Sequence, residues 1–211
     1  MAQTDITEPS NPPERTFQPN RTLYIAPHRY HGPKIQLYDL AGRLNAAYPS
    51  DEWVEEAKQL GELAEQPAIF TVIQERWFKP STVHTGDVDE PSETTTIATW
   101  KRGHGTNHKF KFPEGSVHCS HELTTRATRP KAVESFVLNS AELYWKRVDG
   151  RASRGMILWK KLGGKEIQVG QFYGTGRSTK PGGVIVVDER EVDVLVAFIV
   201  ACCLLKRSQE M

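Results

Sequence analysis

The most constraining feature of this 211-residue chain is an uninterrupted apolar run near its C-terminus, residues 194–205. A helix that is apolar on every side has no face to offer to water and must be enclosed by other parts of the chain. At about 1.5 Å per residue the run spans about 18 Å, well short of the roughly 30 Å hydrocarbon core of a bilayer. The run therefore predicts a buried helix, and a membrane tail anchor flanked by Lys206 and Arg207 is the weaker alternative.

The residues before this run resemble a helix start. Asp188 can act as a capping residue, and Glu191 follows three positions later, which is the pattern of a capping box. We therefore predict a central helix over residues 189–206.

The rest of the chain is rich in short runs of β-branched and aromatic residues bounded by Gly, Pro or Asn, which predict strands. We predict about twelve strands, at residues 22–25, 35–38, 43–46, 68–78, 94–102, 108–112, 116–124, 133–138, 142–148, 155–161, 166–173 and 184–187. Short connections between them favour antiparallel neighbours over crossovers. The expected fold is mainly β, a closed antiparallel barrel of about twelve strands that encloses the apolar C-terminal helix.

Three further segments complete this organisation. The turn signal Asp39-Leu40-Ala41-Gly42 predicts a hairpin over residues 35–46. Residues 51–65 predict an extra helix, because Ser50 can cap it and Trp53 and Ala57 fall on one face. The polar residues 79–93 predict a mobile loop. Residues 1–20 contain too few apolar side chains to offset the entropy of ordering, so we expect a disordered tail before one barrel domain over residues 21–208.

Charge and cysteine content restrict the function classes. Lys and Arg total 27 against 26 Asp and Glu, a net charge of +1, so no global field favours a nucleic acid partner. The three cysteines, Cys119, Cys202 and Cys203, show no disulfide spacing, which fits a reducing compartment. The polar N-terminus does not resemble a secretory signal, so we expect a cytoplasmic protein.

The densest set of possible metal ligands comprises His104, His108, His118, Cys119 and His121. His118 and His121 are three residues apart, so on a strand they face opposite sides and cannot share one ion without a bulge. We therefore expect no metal and no cofactor, with a zinc or copper site as the alternative. A second alternative is that Cys119 beside His118 is an activated thiol. The side chains of adjacent strand residues point to opposite faces, which argues against it.

Sequence motifs for catalysis are lacking. The chain has no Gly-x-Ser-x-Gly, His-Glu-x-x-His or Walker A sequence. Gly170, Gly174 and Gly176 with Arg177-Ser178-Thr179-Lys180 superficially resemble a phosphate cradle. A strand rather than a helix follows them, so we interpret the segment as a flexible loop. We expect a protein that is not an enzyme.

Basic residues on the predicted strands are the remaining candidates for a binding site. Lys101, Arg102, Lys109 and Lys111 lie on two successive predicted strands. A candidate anion-binding patch lies further along the chain, at Lys146, Arg147, Arg151, Arg154 and Lys160. Charges on exposed strands commonly serve to prevent edge aggregation. The sharper hypothesis is a site for phosphorylated lipid headgroups. Lys160 and Lys161 cannot both face the same side.

Strands followed by a wholly apolar C-terminal helix make residues 133–207 similar to the tubby C-terminal-like superfamily, which includes the plant LURP-one-related proteins and the phospholipid scramblases. The likeness is carried by Ala141-Glu142-Leu143-Tyr144-Trp145-Lys146, Val169-Gly170-Gln171-Phe172, Val184-Ile185-Val186-Val187-Asp188 and the final helix. The hairpin over residues 37–44 also fits. Within the superfamily, the chain most resembles a fungal domain family of unknown function.

The resemblance implies a twelve-stranded barrel around a central helix and, from tubby proteins, a phosphoinositide site on the barrel surface. It implies no particular binding residues, because the tubby lipid-binding lysine and arginine do not map onto positions here. We expect a non-catalytic binding or scaffold module, peripheral to a membrane, that binds anionic phospholipid or protein partners. The alternatives are a scramblase-like protein, a protein acylated at Cys202 and Cys203, and a metal- or thiol-dependent enzyme.

Overall fold

A closed barrel of antiparallel strands forms the body of the protein. The computed structural model describes residues 16–28, 33–63, 66–74, 80–89, 94–102, 107–119, 122–128, 133–148, 155–174 and 182–207. Within them lie β1 (Arg21–Ile25), β2 (Lys34–Asp39), α1 (Asp51–Leu63), β3 (Phe70–Ile73), β4 (Ser81–Thr85), β5 (Thr96–Arg102), β6 (His108–Lys111), β7 (Leu123–Thr128), β8 (Val133–Leu138), β9 (Ala141–Arg147), β10 (Met156–Leu162), β11 (Lys165–Gly174), β12 (Gly183–Val187) and α2 (Val194–Arg207). Each strand pairs with the next along the chain, and β12 closes the ring on β1. The predicted twelve-stranded barrel is confirmed.

The apolar C-terminal helix fills the barrel. Every side chain from Leu195 to Leu205 is at most 7% exposed, and most are fully buried. They pack against the inward-facing residues of the strands, which form one continuous hydrophobic core. The prediction of a buried central helix is therefore confirmed. Among the described residues, no helix has the length and apolar character required to span a membrane.

The start of α2 differs from the prediction. The helix begins at Val194, and Asp193 is its capping residue, because the Asp193 Oδ1 accepts a hydrogen bond from the Val196 N–H at 3.0 Å. The predicted capping box at Asp188 is wrong. Asp188 is instead held by Arg190, whose Nε donates to its carboxylate at 2.7 Å, in a turn that precedes the helix.

Helix α1 covers the outer face of β1 and β12. The Ser50 Oγ accepts a hydrogen bond from the Trp53 N–H at 3.1 Å, as the sequence predicted for a cap. Gly61 faces the Tyr24 ring so closely that a Cβ at this position would lie 2.1 Å from the ring. The contact explains a glycine inside a helix. The extra helix is confirmed to residue 63, and residues 64 and 65 lie outside the described residues.

The predicted hairpin over residues 35–46 is wrong. β2 ends at Asp39, and residues 43–46 form no strand. Instead, the N–H groups of Asn45 and Ala46 donate to the Glu56 carboxylate at 2.9 to 3.1 Å. The chain therefore leaves the barrel after β2 and runs to α1, because that carboxylate binds the backbone that a second strand would have used.

The polar segment 79–93 is not a mobile loop over the part that the structure describes. Residues 81–85 form β4, which pairs with both β3 and β5. The following residues cross the outside of β2, where Gln36 Nε2 donates to Asp87 at 2.8 Å and Lys34 contacts Asp89. Residues 79 and 90–93 lie outside the described residues.

Two further boundaries are corrected. The strand predicted over residues 116–124 is displaced to Leu123–Thr128, because a turn at Gly115, with φ of 76°, precedes an irregular segment through residue 119. Residues 16–20 of the predicted tail contact the barrel: the Asn20 N–H donates to the Val187 carbonyl at 3.1 Å, and Phe17 packs edge-on against Tyr48. Residues 1–15 lie outside the described residues.

Candidate functional site

Exposed cations collect on the outer face of β5 to β9. Side chains along each strand alternate between the core and the outside, as His108 and Phe110 do with the intervening lysines of β6. Five outward residues on these strands are exposed and basic; we call them the basic surface: Lys101, Lys109, Lys111, Arg126 and Lys146. Outward-facing Glu142 is the one acid that shares this face within the described residues of the five strands.

The strand register brings these cations close together. Lys101 of β5 lies directly opposite Lys109 of β6, a like-charge pair that destabilises a sheet unless an anion compensates it. Arg126 lies on β7, the next strand, and Lys146 lies two strands beyond it. Each step between neighbouring strands of a twelve-stranded ring turns the outer surface by about 30°. The members on β5 to β7 therefore face directions within about 60° of one another, and Lys146 on β9 faces about 60° further round the ring.

Acidic side chains neutralise only part of the basic surface. Glu122 lies 3.0 Å from Lys109 Nζ and 4.0 Å from Lys111 Nζ, and the hydrogen bond from Lys109 lowers the pKa of the Glu122 carboxyl. Glu142 is bound to Lys161 at 3.0 Å. Lys101, Arg126 and Lys146 form no ion pair with a described residue. These three cations remain able to bind an external anion.

Acidic residues concentrate on the opposite side of the barrel. Helix α1 carries Asp51, Glu52, Glu55, Glu56 and Glu62 but one basic residue, Lys58. Helix α1 packs against β1 and β12. β7 lies six strands from β1 around the ring of twelve, so β7 and α1 are on opposite sides of the barrel. Among the described residues, the outer face of β5 to β9 is thus mainly basic and helix α1 on the far side is mainly acidic. The separation creates a local field that the net charge conceals.

The structure divides the anion-binding patch predicted from the sequence. Lys146 is exposed and belongs to the basic surface, whereas Arg147, its neighbour on β9, points to the opposite face. Lys160 lies on the inner side, because it pairs across strands with the buried Leu143. Its Nζ donates to both the carbonyl and the carboxylate of Glu191 at 3.0 Å. The structure does not bring Lys146 and Lys160 to one surface.

Arg151 and Arg154, the other members of that patch, lie outside the described residues. Lys160 and Lys161 face opposite sides of β10, as the sequence predicted. Arg126 is the member of the basic surface that sequence reasoning missed. The alternation in Leu123–Thr128 would have placed it on the outer face if the strand boundary had been drawn correctly.

The histidines of the candidate metal set have separate contacts. Buried His108 accepts a hydrogen bond at Nδ1 from the Trp100 Nε1–H at 3.0 Å. His118 donates from Nδ1 to the Asp193 carboxylate at 3.0 Å, and so ties the segment before β7 to the cap of α2. His104 and His121 lie outside the described residues. Among the residues that the structure does describe, no three potential ligands come together.

The remaining sequence candidates have packing roles. Cys119 is 3% exposed, and Cys202 and Cys203 are fully buried inside the barrel, so acylation of either α2 thiol would require the helix to leave the barrel. Gly170 lies in β11, where a Cβ would meet Leu158 and the Val186 carbonyl at 3.2 Å. Most of the glycine-rich loop, residues 175–181, lies outside the described residues.

Comparisons of the chain with protein-family models, with curated proteins and with solved structures found no match. The basic surface and the opposing acidic helix are therefore the observations on which a functional argument can rest.

Proposed function

We propose that this barrel is a non-catalytic binding module whose basic surface binds anionic phospholipid headgroups, phosphoinositides included. The observation that carries the proposal is the separation of charge across the barrel, with five exposed cations on β5 to β9 and an acidic helix opposite. A planar anionic surface would attract one side of such a molecule and repel the other. The protein would therefore dock in one orientation.

The strength of such docking can be bounded. Each Lys or Arg near an anionic membrane contributes about 1 kcal/mol, so three to five of them give a reversible, peripheral association. A cytoplasmic protein that binds membranes in this way needs no spanning segment. The resemblance to the tubby C-terminal-like superfamily supports the proposal, because a twelve-stranded barrel around a central helix is the architecture it implies.

Liposome co-sedimentation tests the proposal. Wild-type protein should bind vesicles that contain phosphatidylserine or phosphoinositide and should leave vesicles of phosphatidylcholine alone. The triple variant Lys101→Gln, Arg126→Gln, Lys146→Gln removes the three cations that lack a described acidic partner, so its affinity should fall by about a hundredfold.

A matched control removes the same number of charges elsewhere. Lys34→Gln, Lys58→Gln and Lys165→Gln lie on β2, α1 and β11, outside the basic surface, and should change the affinity less than threefold, as is typical of charges distant from the contact. Equal loss in both triple variants would show that net charge matters and location does not. Binding that is equal for neutral and anionic vesicles, or absent from both, would sink the lipid proposal and favour a protein-interaction scaffold.

A further inference from the structure

One tryptophan of the described residues is not part of the core. Trp53 and Trp100 are 3% exposed and Trp145 is fully buried. Trp159 instead lies on the outward side of β10 and is partly exposed. It pairs across strands with Tyr144 of β9 and Gln168 of β11, so it belongs to the outer surface of the barrel.

The surroundings of Trp159 combine apolar and basic side chains. Ile157, two residues earlier on the same face, lies directly opposite Lys146. Val133 lies opposite Lys146 from the other side, on β8. Lys146 is exposed and unpaired among described residues, so this cation stands between two partly exposed apolar side chains.

Toward Tyr144, this region is bordered by polar side chains that already contact one another. Lys161 lies over the Tyr144 ring at 5.7 Å and is bound to Glu142, while burial and the nearby Glu166 carboxylate raise the pKa of Tyr144 to about 12. These contacts hold Tyr144 in place. The acids Glu142 and Glu166 would be repelled by an anionic surface, which limits the contact to the end of the face that carries Ile157, Trp159 and Lys146.

We propose that Trp159 and Ile157 insert into the interfacial layer of an anionic bilayer, with Lys146 bound to the headgroups beside them. The inference rests on the proposed function and adds an apolar component to it. Tryptophan favours the membrane–water interface, because its ring is largely apolar and its N–H can still find a polar partner. β10 is the strand next to β9, so the insertion site adjoins the basic surface at Lys146.

Fluorescence of the full chain tests the insertion directly. With vesicles of phosphatidylserine and phosphatidylcholine that carry bromines at a shallow acyl position, wild-type emission should shift to shorter wavelength and be quenched. In Trp159→Phe the shift and most of the quenching should disappear, because three of the other tryptophans lie in the core. Trp159→Ala should bind the same vesicles about tenfold more weakly, as expected when a large apolar side chain no longer leaves water.

Gln168→Ala is the matched control, since Gln168 is the polar neighbour of Trp159 on β11 and should bind as wild type. If the wild type binds anionic vesicles with unshifted and unquenched emission, and Trp159→Ala binds equally well, insertion is wrong while headgroup binding stands. If no vesicle is bound, both proposals fail. Trp159→Phe keeps an aromatic ring opposite Tyr144, so its melting temperature should match that of the wild type. It therefore tests insertion even if Trp159→Ala fails to fold.

Discussion

His84 shows how a single polar side chain can be buried on the outer face of a barrel. It is fully buried, and its ring nitrogens contact the Oγ1 of Thr82 at 2.8 Å, of Thr95 at 3.1 Å and of Thr96 at 3.3 Å. A neutral imidazole suits these hydroxyl groups, because it can donate from one nitrogen and accept at the other. Burial disfavours the charged ring and lowers the pKa of His84 below its ordinary value of 6.5.

This lowered pKa predicts a pH dependence of stability. Below pH about 6.5 the unfolded chain takes up a proton at His84 that the folded chain still resists, so the free energy of unfolding should fall as the pH drops from 6.5 through the lowered folded pKa. Urea unfolding midpoints measured between pH 7.5 and 5 should show this decline in the wild type. In His84→Gln the decline should be smaller, whatever the absolute stability. Parallel curves for the two proteins would contradict the assignment.

At the scale of elements, α2 is the part of the fold on which the rest depends. Phe198 is fully buried at the centre of the barrel, so Phe198→Asp places an unpaired charge there at a cost of several kcal/mol. We expect that variant, and the deletion of residues 192–211, to be insoluble or to lack cooperative unfolding. Phe198→Leu keeps an apolar side chain and should cost only about 1 to 2 kcal/mol. A truncated domain that stays monomeric and unfolds sharply on heating would refute the role of the helix.

Most elements could be predicted from the sequence because their signals are local. The alternation in β6 and the all-apolar run of α2 report burial without any knowledge of neighbours. Residues 43–46 could not be placed, because the Glu56 carboxylate that binds them comes from a later helix. β4 resembled a polar loop because its outward residue His84 is buried by the chain that follows, where Thr95 and Thr96 contact its ring. The basic surface needed the register as well, since only strand pairing places Lys101 opposite Lys109.

The basic surface and the acidic helix α1 lie about the width of the barrel apart. A twelve-stranded ring with neighbouring strands about 4.8 Å apart has a diameter of roughly 20 Å or more. At 0.1 M salt the Debye length is about 10 Å, so charges on α1 are screened from a membrane that contacts β5 to β9. The position of a charge on the barrel should then affect membrane affinity more than the net charge of the protein does.

Removal of acids from α1 tests this point. The variant Glu52→Gln, Glu55→Gln, Glu62→Gln raises the net charge by three from +1, yet at 0.1 M salt its affinity for anionic vesicles should stay within about threefold of wild type. At 0.01 M salt, where the Debye length is about 30 Å, the same variant should bind clearly more tightly than wild type, because the field of α1 then reaches the membrane. Co-sedimentation at the two salt concentrations measures both effects, and circular dichroism verifies that the helix survives. A large gain in affinity already at 0.1 M salt would mean that the protein binds through its overall charge or through a surface near α1, and would contradict docking through β5 to β9.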